Sequence, residues 1–470
     1  MSKIGAMMDV GKRSLQNSQT ALQTVSHNIA NKSTEGYSRQ RVDLEANVPI
    51  GEGNLRIGMG ARAASVTRTN NPWLEKQIQK EQTSLGYENG RADSLARVEQ
   101  IFNEQENKGL NQYMTQFFNA FRELSNNPES LASRTMVKES AEQLATDFKH
   151  VHSQMRDVQD DIDGQVKNLV VQVNQMTKEI ASLNEKILQV EVQGNPANDE
   201  RDRRDLLLKK LGEKIDISWA EGKDGQVSIT AGNTAVLVSG STATELLTQT
   251  APETGRAQIM YRASEHGSTF EMTKQFKGGQ LGGLLEVRDN IIEDGLKNVD
   301  EMAYTLAREV NSAHIEGHDR YGKAGVLFFD MPDTAEGASE KISVNKTILN
   351  DVGRIAAGNK PNAPGDNTIA NMISAIQYRP TMQNGTATID DFYNSSVGQL
   401  GTITQRARST QESQKNIVDQ MKNIRESISG VSLDEETTNM VEMQKMYDAS
   451  AKVIKTADEM LETVLNLKRL

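Results

Sequence analysis

The sequence predicts a mainly α fold with an inserted small β domain. The expected arrangement is paired terminal heptad helices, a long antiparallel helical bundle and an outer β domain. Three observations predict it. Apolar residues recur every seven positions at both ends of the chain. A helical apolar seam of about forty residues runs from Val151 to Val190. Short alternating runs separated by turn residues fill 215–277.

Taken in order, residues 1–32 read as one helix. Met1, Met8, Leu15, Leu22 and Ile29 form one row of its seam, and Ile4, Gly11, Ser18 and Val25 form the other. The small residues in the second row allow a partner helix to approach closely. "STEGY" (33–37) stops the helix, and alternation at Val42, Leu44, Leu55, Ile57 and Met59 predicts an extended arm at 38–70, broken by "PIGEGN". Helix dominates from Pro72 to about residue 212. Its long seam spans roughly 60 Å at 1.5 Å per residue and carries one stutter near Ile162. "KIDISWA", "GQVSITA", "TAVLVSG" and "RAQIMYRA" supply the strands of the β segment. Helix resumes at 281–314, a loop-rich stretch with a strand at "KISVN" fills 316–367, and a second long helix covers about 389–429. In the last helix Leu433, Met440, Tyr447, Ile454 and Leu461 again stand seven apart, with Met443, Ser450, Ala457 and Val464 beside them.

The two ends mirror each other and carry opposite charge: residues 1–42 have a balance of +4 and 431–470 of −3. Complementary sign on matched seams predicts that the termini pair. The expected domains are therefore 1–72 with 405–470 as a terminal coiled-coil domain including the arm, 73–214 with 281–404 as the helical bundle, and 215–280 as the β insertion.

Composition narrows the function. At 470 residues the chain has room for about three domains. Lys and Arg number 53 against 64 Asp and Glu, a net charge of −11, which argues against a nucleic-acid partner. Cysteine is absent, excluding disulfides, thiolate metal sites and cysteine nucleophiles. No apolar run is long enough to span a membrane, and the N-terminus lacks a signal-peptide h-region. The chain is expected to be soluble and, if it leaves the cell, to do so without a cleaved signal.

Candidate chemistry is thin. His314 and His318 have the spacing of two ligands on one helical face, but Gly317 interrupts them and only Asp319 stands nearby as a third donor. "KGGQLGG" (277–283) lacks phosphate-loop spacing and reads better as glycines where backbones cross. The acids of "DVQDDID" (157–163) read as a solvated helix face rather than a glycosidase pair. No catalytic, cofactor or metal site is expected.

At "ALQTVSHNIANKSTEGYSRQ" (21–40) the chain resembles the N-terminal signature of bacterial flagellar axial proteins, the rod, hook and hook-associated family. The matching positions are Ala21, Leu22, Ser26, Asn28, Ile29, Ala30, Asn31, Thr34, Gly36 and Tyr37. "NMVEMQKMYDASAKVIKTADEMLETVLNL" (439–467) resembles the same family's C-terminal helix. Ser38-Arg39-Gln40 after Gly36-Tyr37, with the stretches 86–104, 117–134 and 198–218, points to the hook-associated branch. "KSTEGY" stands where the commoner form has Thr-Pro-Gly-Tyr, so a less rigid turn is expected there.

The resemblance implies a structural adaptor subunit of the flagellum, forming a junction ring between hook and filament outside the cell after type III export. Its implied partners are further copies of itself, the hook protein, the next junction protein on the filament side, and a dedicated export chaperone bound to the C-terminal helix. The implied assembly interface comprises Ile4, Met8, Leu15, Leu22, Val25, Asn28, Ile29, Asn31, Gly36 and Tyr37, with Leu433, Met440, Met443, Tyr447, Ile454, Leu461 and Val464. A hook or distal-rod subunit is the alternative, disfavoured by the long helical segment 75–212. A peptidoglycan hydrolase with axial ends is further off, because no compact catalytic domain is present.

Overall fold

The computed structural model describes residues 2–52, 55–102, 109–232, 234–263 and 267–467. Met1 and residues 103–108, part of the stretch read as helical, lie outside the described residues.

Helix α1 (Ser2–Ala30) is continuous and ends where the signature loop begins. Strands β1 (Gln40–Ala46) and β4 (Ala61–Arg68) pair antiparallel with a register shift at Asp43/Leu44, and β2 (Ile50–Glu52) with β3 (Leu55–Ile57) forms a two-stranded tip between them. The "PIGEGN" segment thus supplies a strand as well as a break. Asn71 caps α2 (Pro72–Ile101), its side chain accepting from Leu74 N, with proline at the first helical turn where no N–H is needed.

After α3 (Leu110–Asn126), α4 (Leu131–Glu191) runs 61 residues, about 90 Å at 1.5 Å per residue. Ser130 caps it through Ser133 N. Its apolar seam is buried against several partners in turn. Val137, Leu144, Phe148 and Val151 join Phe117, Phe121, Phe328 and Phe329 in one core; Met155, Ile162, Val166, Val173 and Ile180 join a second. A helix this long can serve as a spine because its apolar face persists past the reach of any one neighbour.

The second core explains the β segment. Following α5 (Asn198–Lys214), strands β5 (Ile217–Glu221), β6 (Val227–Ala231), β7 (Ala235–Ser239) and β8 (Thr242–Ala243) form one antiparallel sheet in that order. Strands β9 (Leu246–Thr250), β10 (Ala257–Arg262) and β11 (Thr269–Glu271) form another, with β10 central. Val227, Ile229, Leu237, Leu246 and Ile259 share one cluster with residues of α4, α5 and α6 (Gly279–Glu286). The strands predicted for 215–280 are present, and they line the helices instead of closing a core of their own. A small sheet gains stability when its apolar face packs against a helix, and here α4, α5 and α6 supply that packing surface.

At α6 the glycines of "KGGQLGG" sit where backbones cross. A Cβ on Gly283 would lie 2.1 Å from the Tyr87 carbonyl oxygen, and one on Gly86 of α2 would lie 2.0 Å from that of Glu213. A π turn at Val287–Ile291 leads into α7 (Ile292–Ile315). The stretch 316–367 holds β12 (Phe329–Asp330), α8 (Ala338–Lys341), β13 (Ser343–Val344) and α9 (Lys346–Asn350). Although rich in loop, it builds the first core through Phe328, Phe329, Ile342, Ile348 and Ile355. Helix α10 (Thr368–Ala375) precedes α11 (Ile389–Ser429), which opens with a capping box between Thr388 and Asp391. The last helix, α12 (Leu433–Leu467), returns along α1.

Candidate assembly site

The terminal helices pair antiparallel, and the smallest residues of the seam set their distance. Gly11 faces Ile454, Ser14 accepts from Ser450 Oγ at 2.7 Å, and Asn28 meets Glu436. Gly11, Ser18 and Val25 are buried on α1; Glu436, Ser450 and Ala457 are buried on α12. Of the predicted positions, Ile4, Met8, Leu15, Leu22, Ile29, Met440, Met443, Ile454 and Leu461 are half-buried along the flanks. Leu433, Tyr447 and Val464 fall on the exposed side, at 39, 37 and 41 %. Close backbone approach at Gly11 and Ser450 leaves the bulkier seam residues at the rim, and the small second row read from period is the buried one.

The signature motif forms a compact hub at the lower end of this pair. Asn28 is 1 % exposed and uses both ends of its amide. Its Nδ2 donates to the Gln40 carbonyl at 2.9 Å and to Glu436 Oε2 at 3.1 Å, while its Oδ1 accepts from Tyr37 OH at 2.8 Å and Gln40 N at 3.0 Å. A buried asparagine satisfied in this way fixes the path of the loop around it. Asn31 ends α1 by donating to the His27 carbonyl and accepting from Thr34 Oγ1. Gly36 has φ +85°, and a Cβ there would lie 3.0 Å from Leu206. Burial, with the nearby charges of Asp199, Asp202 and Glu436, pushes the Tyr37 hydroxyl above its ordinary pKa, so it stays a donor.

Sequence reading missed the surface that receives this hub. One face of α5 carries Asn198, Asp199, Asp202, Asp205, Leu206, Lys209 and Lys210, at helical spacing. Asp202 accepts from Ser38 N at 2.7 Å and pairs with Arg68, which also reaches Asp205 at 2.7 Å. Gln40 Nε2 donates to Asp199 at 2.7 Å, Asn198 donates to the Val66 carbonyl at 2.6 Å, and Lys210 pairs with Glu35. Burial raises the Asp202 pKa against the pull of Arg68 and Ser38. The opposite face of α5 turns Leu207, Leu208 and Leu211 into the second core. The run "NDERDRRD" signals this role only as an unusual charge density inside an amphipathic helix.

Arg425 of α11 closes the hub from the other side. Its guanidinium donates to Glu75 Oε1 at 2.8 Å, to the carbonyls of Gly36 and Tyr37 at 3.1 and 3.3 Å, and to Ser38 Oγ at 3.3 Å. Glu75 also receives Lys209 at 2.8 Å. Burial works to raise the Glu75 pKa, but Lys209 and Arg425 outweigh it and hold the carboxyl below its usual range. Arg39 pairs with Glu435 and Glu436, at 2.7 Å each, tying the loop to the start of α12.

The other candidates resolve into structure. His314 is fully buried, with Nδ1 2.6 Å from the Val326 carbonyl and Nε2 accepting from Ala356 N at 2.8 Å. No group of three potential metal ligands occurs among the described residues. The acids of "DVQDDID" are partly corrected: Asp163 is buried, pairing with Arg288 at 2.5 Å and accepting from Ala257 N at 3.1 Å, so it ties α4 to β10 and the π turn. No described helix is long and apolar enough to cross a membrane.

Comparison with known proteins follows the same lines. The family model described as "Flagellar hook-associated protein FlgK helical domain" matches residues 95–329, and that described as "Flagellar basal body rod FlgEFG protein C-terminal" matches 426–467. The chain is 30 % identical to flagellar hook-associated protein 1 of Bacillus subtilis, covering 98 % of this chain and 97 % of that protein. It is 24 % identical to the protein of the same name from Escherichia coli, covering 97 and 98 %. The solved flagellar hook junction protein FlgK from Burkholderia pseudomallei matches with a TM-score of 0.69 at 15 % identity, over 75 % of this chain and all of that one. From the paired termini through the α4 spine to these matches along its whole length, the chain belongs to the flagellar hook-associated protein 1 (FlgK) family.

Proposed function

We propose that the protein is the structural adaptor subunit of the bacterial flagellum that joins hook to filament, acting by packing and not by catalysis. The observation that supports this reading most directly is the terminal pair with the adjoining end of α11: the pair carries the axial signature, yet one subunit leaves much of the apolar surface of these helices uncovered. Ile417, Ile424 and Ile428 of α11 and Val441, Met446, Val453, Met460 and Leu465 of α12 are all more than a third exposed. Such rows, aligned with the long axis of the helices, suit neighbouring copies in a ring, with the hook protein on one side and the next junction protein on the other. Before assembly the same face of α12 is a fit for a dedicated export chaperone, since an amphipathic helix lays its apolar side into a groove. The protein works outside the cell, in the flagellum.

Deleting the gene and imaging the cells by electron microscopy tests the reading. Bare hooks with filament subunits shed into the medium are expected. Normal filaments on the deletion strain would end it.

A further inference from the structure

The joint between the terminal helix pair and the body is held by charge and hydrogen bonds, not by a shared apolar core. Among the described residues, the two core clusters begin at Ala92 and end at Ala407, so neither contains any part of α1, the arm or α12. Leu206 against Gly36 is the main apolar contact at the loop. The hydrogen bonds and ion pairs that cross the joint come mainly from α5, through Asp199, Asp202 and Lys210, and from one side chain of α11. Arg425 is 6 % exposed and reaches three parts of the molecule at once: Glu75 at the start of α2, the carbonyls of Gly36 and Tyr37 in the signature loop, and Ser38. Through Glu75 it is linked to Lys209 on α5, and α5 grips the far side of the same loop at Ser38 N through Asp202.

We infer that Arg425 is a positioning residue that fixes the angle between the terminal pair and the helical body. The physical argument concerns direction. Apolar contacts are tolerant of sliding and rotation, whereas a guanidinium fork bound to a carboxylate and two carbonyls is satisfied in one orientation only. Rotation of the terminal pair about the loop would take the Gly36 and Tyr37 carbonyls and the Ser38 hydroxyl away from the Arg425 guanidinium, and leaving such groups without a donor is costly. A subunit placed in a ring must present its body at one angle to the axis. The consequence of the clasp for junction assembly therefore rests on the function proposed above.

The absence of native cysteine makes the test direct. Spin labels at Lys452→Cys on α12 and Glu185→Cys on α4, both exposed positions, report the angle as an electron spin–spin distance in the full-length protein. The parent should give a single narrow distance peak. Arg425→Gln should lose that peak to a broad distribution, while the melting of the body, whose cores lie outside the joint, stays where it was. Arg425→Lys, which keeps the charge but not the fork, should recover the mean distance only in part. Should Arg425→Gln disturb folding, Glu75→Gln removes one arm of the clasp and should broaden the peak on its own. A narrow peak retained in both neutral variants, or a broad peak already present in the parent, would overturn the positioning role and leave the junction role standing. Bare hooks formed by a variant with an unchanged distance peak would also count against it, since assembly would then depend on Arg425 by some other route.

Discussion

Asn28 and Glu436 lie 408 residues apart in the chain and meet across the helix pair, Nδ2 to Oε2 at 3.1 Å. The same asparagine holds Tyr37 and both backbone groups of Gln40, so one side chain connects helix α1, the signature loop, strand β1 and helix α12.

Asn28→Ala should therefore do more than remove one hydrogen bond. It leaves the Gln40 backbone and the Tyr37 hydroxyl buried without partners, at a cost of about 2–4 kcal/mol in the docking of the loop. Amide exchange should show lost protection at 37–40 while the α4 spine stays protected. Unchanged exchange at those residues would contradict the hub.

Gly11 sets the separation of the terminal helices. A Cβ there would stand 2.8 Å from Ile454 Cγ1, so Gly11→Val should weaken the α1–α12 pair by about 1–3 kcal/mol of overpacking, despite the better helix propensity of valine. Ile454→Ala opens that space. The double variant should recover part of the loss, with a coupling on the order of 1 kcal/mol in a mutant cycle read by thermal melting. Strict additivity would show that the two residues do not meet.

His314 makes the body sensitive to acid. Burial lowers its pKa to about 4 from 6.5, with Arg134 and Arg354 adding to the effect and the Val326 carbonyl and Asp319 opposing it. Between those values the unfolded chain takes up a proton that the folded chain refuses, so stability falls as pH drops from about 6.5 towards 4. The full window corresponds to about 3 kcal/mol. Urea melts at pH 7 and pH 4.5 should differ less in His314→Gln than in the parent, because glutamine does not titrate. An equal pH dependence in the two proteins would show that this ring is not the group responsible.

The exposed row on α11 separates assembly from folding. Ile424 and Ile428 are 44 and 42 % exposed. Ile424→Asp with Ile428→Asp should change the monomer's stability by no more than about 0.5 kcal/mol per site, as surface substitutions usually do. The same change should leave cells with bare hooks, because two charges would be buried against a neighbouring copy. Full-length filaments in that strain would show that this face remains open to water.

The elements themselves were legible from local pattern. Seven-residue periods gave α1 and α12, the long seam gave α4, and alternation between turns gave the β segment, since period and turn chemistry depend on residues a few positions apart. Less legible was what each seam packs against. The α4 seam reads the same whether one helix covers it or many elements do, and the loop-rich stretch 316–367 hides its core contribution because Phe328 and Phe329 sit in no periodic element. Seam period included Leu433 and Tyr447, which are more than a third exposed, and passed over Glu436, which is buried, because it counts apolar side chains and not how near two backbones come.

By itself, then, the sequence determined the long helices and the main strands of the β segment, that the two ends would pair, and which family signature the loop carries. Only the tertiary structure decided which charges meet: Arg425 with Glu75, 350 residues apart, and Arg68 with Asp202, 134 apart. The chain holds 53 Lys and Arg and 64 Asp and Glu, and any of them could pair on charge alone. Coulomb attraction names no partner. The choice is made when the packing of α2, α5 and α11 around the loop brings a few of those groups out of water within 3 Å of one another, where the interaction becomes strong and directional.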